Sequence, residues 1–238
     1  MRGEPMKTLL VDLDDTLLDY SGGVDECWHA ACAAVAAPAG VEPVALVQAL
    51  RATRRWFWSD PERHRRERVD MLGAWSKITA HALGQVGSAD ERLAAAVAHA
   101  FAERRWQRMD LFPGVRATLE QLQGRGVALA LVTNGDKGHQ RRKIEQHDLA
   151  RFFDVIVIEG EFGAGKPDET VYRHALELLG ASAREAAMVG DHLEFDVLAP
   201  QRLGMRGIWV DTEGTGLPAG SPVRPDRILR AFPELLAQ

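Results

Sequence analysis

Lys7-Thr-Leu-Leu-Val-Asp-Leu-Asp-Asp-Thr16 reads as a short buried strand that runs straight into a pair of carboxylates. Leu9, Leu10 and Val11 are apolar without alternation, the pattern of a strand covered on both faces. Asp12 and Asp14 stand two residues apart, which in an extended chain puts them on the same side. The same kind of apolar run recurs downstream at residues 127–132, 155–158, 186–189 and 207–210. Helical patterns lie between these runs, at about residues 114–124, 138–149, 168–180 and 194–203, with Gly124, Gly126, Gly180, Gly204 and Gly207 as stop signals. Strand–helix–strand repetition implies a parallel sheet with right-handed crossovers. The expected fold class is therefore α/β, a doubly wound parallel sheet of Rossmann-like type.

Residues from about 20 to 110 interrupt that alternation. They carry helical patterns and no convincing strand. Asp60-Pro61-Glu62 supplies a cap, a proline at the first helical position and an early acid, in that order. Met71, Leu72, Trp75, Ile78 and Ala82 then form a helical stripe. Ser88-Ala-Asp-Glu91 is read as a capping box ahead of Leu93, Val97 and Phe101. Glycine-rich joints flank the section at Ser21-Gly22-Gly23 and Phe112-Pro113-Gly114. The expected organisation is an α/β core from residues 1–19 and 111–238, with a helical domain of residues 20–110 inserted after the first strand.

Composition narrows the function. The 238 residues are 46% apolar and 26% charged, a globular balance rather than that of a disordered or fibrous chain. A net charge of −5 argues against a nucleic-acid partner, which calls for a basic surface. No apolar run approaches the ~20 residues that cross a bilayer, so no membrane partner is expected. Asp12 also cuts the first apolar run short of a signal-peptide core. Cys27 and Cys32 are too few for a disulfide framework, which fits a reducing cytoplasm.

Four short segments could carry chemistry, each with an ordinary structural reading beside it. Asp12 and Asp14 suit a bound cation, a shared proton or a nucleophilic carboxylate; equally, an aspartate after a strand can be a plain cap. In Leu131-Val-Thr-Asn-Gly135, a hydroxyl and free amides suit a phosphate oxygen, while Asn-Gly is first of all a turn signal. Lys166, in Gly165-Lys-Pro167, suits phosphate charge, although most lysines are merely solvated. Asp191 and Asp196, in Gly190-Asp-His-Leu-Glu-Phe-Asp196, suit Mg2+ through hard oxygen ligands, or serve as helix-dipole partners. All four segments follow expected parallel strands, so all four converge on one sheet edge, where α/β folds bind ligands. Independent structural roles do not account for that convergence.

The ordered set Asp12-x-Asp14-x-Thr16, Thr133-Asn134, Lys166-Pro167 and Gly190-Asp191-x4-Asp196 resembles the haloacid dehalogenase (HAD) superfamily, and the inserted helical section resembles its C1 cap. The likeness covers nearly the whole chain. It implies that Asp12 attacks phosphorus and carries an aspartyl-phosphate, while Asp14 acts as acid and base. It implies that Thr133, the Asn134 backbone amide and Lys166 hold the phosphoryl group. It also implies Mg2+ bound by the Asp12 carboxylate, the Asp14 backbone carbonyl, Asp191 and, directly or through a neighbour, Asp196. The expected activity is hydrolysis of a small phosphorylated metabolite (a nucleotide, sugar or sugar-acid phosphate) by a monomer or homodimer. A phosphomutase, a haloacid dehalogenase and a silent binding protein are the alternatives. Asp14 favours a phosphatase, because an alkoxide leaving group needs a proton and a halide does not. Asp15 departs from the glycine of many sugar-phosphate and phosphoglycolate phosphatases, and looks more like the branch with nucleotidase-like and acylneuraminate-9-phosphatase-like members.

The inserted section holds or adjoins Trp28, Trp56, Trp58, Trp75 and Trp106. Its residues 51–68 carry seven arginines against Asp60, Glu62 and Glu67. A substrate-gripping lid is one reading; a small bundle with a tryptophan core and solvated arginines is the other, and the favoured one. Arg141-Arg142-Lys143 is expected on a solvated helix face.

Overall fold

A computed structural model describes residues 7–237; residues 1–6 of the expected core, and Gln238, lie outside the described residues. In chain order run β1 (Thr8–Val11), α1 (Val24–Ala31), α2 (Pro43–Ser59), α3 (Pro61–Glu67), α4 (Met71–Gln85), α5 (Glu91–Trp106) and α6 (Val115–Gly124). They are followed by β2 (Ala128–Thr133), α7 (Lys137–Gln146), β3 (Val155–Ile158), α8 (Glu159–Phe162), α9 (Glu169–Leu178), β4 (Ala186–Gly190), α10 (Ala199–Arg202), β5 (Arg206–Val210) and β6 (Arg227–Leu229). Two compact units result, one from the chain up to Tyr20 with Asp110 onward, the other Ser21–Met109. No helix among the described residues is long and apolar enough to cross a membrane.

The first unit is built on one six-stranded sheet in the order β3-β2-β1-β4-β5-β6, every pair parallel. The strands read as continuous apolar runs because helices cover both faces. Leu10, Ala130, Val132, Val157, Ala186 and Met188 pack on one face against Val171, Tyr172, Ala175 and Leu176 of α9. Register then fixes where the loops open. Val11 lies opposite Leu131 on one side and Val189 on the other, and the Asp12 amide donates to the Val189 carbonyl at 3.0 Å. Asp12, Thr133 and Asp191 therefore leave the central strands at one carboxyl edge.

Two local expectations are corrected. The Ser88–Glu91 capping box does not form: α5 starts later, and Asp90 caps it by accepting from the amides of Arg92 and Leu93. An aspartate next to the first turn satisfies two orphan amides that a more distant serine cannot reach. The helix expected over 194–203 divides into a π-helical turn, Leu193–Leu198, and the short α10. Pro200 has no amide to return to the Asp196 carbonyl, which removes the α-helical bond at that joint.

The second unit is all helical among its described residues. Its core joins Trp28, Trp75, Leu46, Leu50, Ile78, Leu83, Val97 and Phe101. Trp28 stacks on Phe101 with centroids 3.7 Å apart, and Trp75 meets the same ring edge-on at 5.0 Å. Trp56, half exposed, lies over the Arg63 guanidinium and beside His81. Cys27 and Cys32 are buried free thiols in this core.

Candidate active site

The site grows from the ends of β1, β2 and β4. Asp12, the first residue after β1, is almost wholly buried. Its Oδ1 accepts from Lys166 Nζ at 2.6 Å and its Oδ2 from the Thr16 hydroxyl at 3.2 Å. The same ammonium reaches Asp196 Oδ1 at 2.7 Å, and Asp196 Oδ2 accepts from the His192 backbone amide at 2.9 Å. Gly190 makes that last arrangement possible. A Cβ there would lie 2.2 Å from Asp196 Cγ, so the strand must end in glycine for the carboxylate to fold back over it.

Lys166 is delivered by the loop before α9, and Asn134 pins that loop to the end of β2. The Asn134 amide nitrogen donates to the Lys166 carbonyl, and its oxygen accepts from the Lys166 amide, both at 2.7 Å. The Asn134 side chain is thus a clamp on the lysine loop. Glu159, buried, accepts from the Gly135 amide at 2.8 Å and braces the same turn.

Charge is concentrated here. Oxygens of Asp12, Asp191 and Asp196 all lie within 4.8 Å of one another, around the single ammonium of Lys166. Burial pushes the Asp12 carboxyl up to about 7, against the pull of Lys166, and neighbouring Asp196 and Asp14 push the same way. Burial, then Asp12, Asp196 and Asp15, push Asp191 up to about 9. Burial works against the Lys166 ammonium, but Asp12 and Asp196 outweigh it and hold its pKa above the usual lysine range. Three carboxylates facing one lysine leave an excess of negative charge, and a small divalent cation with oxygen preference is the group that balances it. The donor set fits Mg2+.

Asp14 faces elsewhere. Both of its oxygens accept from Lys143 Nζ, at 2.8 and 2.7 Å, and Oδ2 also accepts from Gln140 Nε2 at 3.1 Å. Gln140 Nε2 in turn donates to Thr133 Oγ1 at 2.6 Å. This corrects the solvated face expected for Arg141-Arg142-Lys143. Arg141 does sit outward against Glu161, but Lys143 is only 3% exposed and enters the site beneath Asp14. Gln140 is a site residue that the motifs do not point to. A signal existed in the composition of α7: Ile144 is its one strongly apolar residue, so the buried face at spacings of three and four has to be completed by polar side chains, here Gln140 and Lys143.

The chain matches the model of the haloacid dehalogenase-like hydrolase family over residues 6–204. It belongs to that family. Among its HAD relatives, a phosphoserine phosphatase of Thermus thermophilus is 36% identical over 227 residues, covering 87% of this chain and 89% of that protein. A glyceraldehyde 3-phosphate phosphatase of Methanopyrus kandleri is 30% identical over 219 residues, covering 87% and 88%. In structure, a 2-haloacid dehalogenase from Pseudomonas syringae superposes with a TM-score of 0.65 at 27% identity, covering 97% of this chain and 96% of that one. A Bacillus subtilis HAD hydrolase bound to magnesium gives 0.73 at 20% identity over 96% of both chains, which shows the shared fold.

Proposed function

We propose that this HAD hydrolase is a Mg2+-dependent phosphomonoesterase for a small phosphorylated metabolite, working through an aspartyl-phosphate on Asp12. The observation that carries this reading is the buried Asp12 carboxylate, held by Lys166 within a ring of further acids. Asp12, Asp191 and Asp196 would hold Mg2+, with the Asp14 carbonyl. The ion would neutralise charge on the phosphoryl oxygens, and phosphoryl transfer depends on that neutralisation and on positioning more than on any other contribution.

The residues then divide the work. Asp12 attacks phosphorus as the ester oxygen leaves. Asp14 would enter this step protonated, give that oxygen its proton, and as the resulting carboxylate take one from the water that cleaves the aspartyl-phosphate. Thr133, the Asn134 amide and Lys166 grip the phosphoryl oxygens, while Asp196 keeps Lys166 in place through the second of its two charge-assisted bonds. The two units take the roles of catalytic core and cap, with the cap selecting the substrate. A reducing cytoplasmic setting agrees with the two free buried thiols.

Two relatives that each cover 87% of the chain are phosphatases, named for phosphoserine and for glyceraldehyde 3-phosphate. That supports phosphomonoesters as the class while leaving the particular substrate open to assay. The dehalogenase of 27% identity supports a second reading, displacement of halide from a haloacid at Asp12. Asp14 weighs against it, since a departing halide needs no proton. Phosphate release from a panel of phosphorylated sugars, nucleotides and amino acids, with halide release from 2-chloropropionate measured in parallel, separates the two.

A further inference from the structure

Resting on the phosphatase reading above, we infer that Gln140 is a positioning residue that fixes the polarity of the Thr133 hydroxyl, turning it into a hydrogen-bond donor for the phosphoryl group, and that Lys143 sets Gln140 in the orientation this requires.

Donors and acceptors fix the orientation of the Gln140 amide. An ammonium only donates and a carboxylate only accepts. Lys143 Nζ lies 2.7 Å from one end of the Gln140 amide, and Asp14 Oδ2 lies 3.1 Å from the other. The amide oxygen must therefore face Lys143 and the amide nitrogen must face Asp14. That nitrogen has two hydrogens. One serves Asp14, and the other meets Thr133 Oγ1 at 2.6 Å. Thr133 accepts from Gln140, so its own proton must point away from α7. The hydroxyl's contact in that direction is a long 3.4 Å approach to the Asn134 carbonyl, easily surrendered to a better acceptor. A phosphoryl oxygen is an acceptor only.

Burial makes the polarity strict. Gln140, Lys143 and Thr133 are 2–3% exposed, so water is poorly placed to substitute for a missing partner. Lys143 also lies 4.0 Å from the centre of the Tyr20 ring, which holds the ammonium from a further side. One helix thus links the acid/base candidate Asp14 to the phosphate grip at Thr133 through a single amide.

The test is a double-variant cycle on the full chain, read by calorimetric titration with inorganic phosphate in the presence of Mg2+, which needs no turnover. Gln140→Glu places an acceptor where Thr133 needs a donor, and phosphate binding is expected to weaken about tenfold or more. Gln140→Met, similar in length and without polarity, is expected to weaken it by about threefold to tenfold. The added charge of Gln140→Glu repels phosphate in any background. In Thr133→Val, where no hydroxyl remains to be turned, the extra loss from either substitution at 140 should shrink to about threefold or less. Thr133→Ser should restore the full sensitivity.

Equal losses in the Thr133 and Thr133→Val backgrounds would overturn the inference, as would unchanged binding in Gln140→Met. If Gln140→Glu fails to fold, the Gln140→Met cycle decides alone. A native chain that binds phosphate but releases none from any ester would count against the phosphatase reading, and the same cycle would still judge Gln140. A native chain that binds no phosphate would overturn both.

Discussion

Lys166 Nζ stands 2.6 Å from Asp12 Oδ1, an ammonium and a carboxylate buried together at the carboxyl end of the central strand. The geometry sets one demand on each side chain. In the proposed mechanism Asp12 would have to be ionised to act on phosphorus, and Lys166 would have to stay close enough to share its charge with an incoming phosphoryl group. Burial alone would oppose both ions, so each depends on the other.

Removing the lysine should therefore damage more than catalysis. Lys166→Met leaves Asp12 and Asp196 buried without their shared cation, and breaking a buried pair typically costs about 3–5 kcal/mol. Chemical denaturation without metal should show a loss of that order. Phosphate release should fall by about a thousandfold or more, and Mg2+ should recover part of the stability but little of the rate.

Metal binding should depend on pH in a definite direction. The Asp12 and Asp191 carboxyls are raised from 3.8 to about 7 and about 9 in the metal-free fold. The folded chain thus holds these protons more tightly than the unfolded chain does. The stability they contribute is complete below 3.8 and is lost as pH rises through about 7 and about 9. If Asp12 and Asp191 hold the metal as proposed, Mg2+ would replace those protons, and the rise in melting temperature on adding it should be larger near pH 8.5 than near pH 5.5. A shift independent of pH would contradict the assignment of these carboxylates to the metal.

Gly190→Ala tests how the site is packed. The new methyl would occupy the space of the Asp196 carboxylate. The expected cost is about 1–3 kcal/mol, with weaker Mg2+ binding, because displacing Asp196 also frees Lys166. A companion test lies at Asp15, whose φ of 59° is left-handed. Asp15→Gly should hold or gain stability, whereas a β-branched valine there should lose about 1–2 kcal/mol in thermal unfolding.

In the helical unit, Trp28 and Trp56 should behave differently. Trp28 is 1% exposed and stacked on Phe101, so Trp28→Ala should cost about 3–5 kcal/mol. Trp56 is 50% exposed, so Trp56→Ala should cost less than about 1.5 kcal/mol. Urea titration of both variants checks the contrast.

Much of this fold and site is legible in the amino-acid sequence. β1 to β5 are largely buried apolar runs, so the sequence pattern marks residues 155–158 with the observed bounds and the others to within a residue or two. The convergence of Asp12, Thr133, Lys166 and Asp191 also followed, because parallel strands carry the residues after them to a common edge. β6 escaped because three residues that include a charged Arg227 and an exposed Ile228 give no periodic signal. Lys143 escaped for a related reason. A lysine beside two arginines looks solvated until packing shows which of the three faces the sheet, and only Lys143 lies on the side of Ile144 and Gln140.

Everything proposed for the site rests on Asp12 as the nucleophile of a Mg2+-dependent phosphatase. The direct measurement is phosphate release from the metabolite panel, with and without Mg2+, by the native chain and by Asp12→Asn. The substitution is nearly isosteric and keeps a carbonyl oxygen toward Lys166, so the fold should survive while the attacking carboxylate is lost. Mg2+-dependent release is expected from the native chain, and none above background from Asp12→Asn. Equal release by the two proteins, or release indifferent to Mg2+, would contradict it.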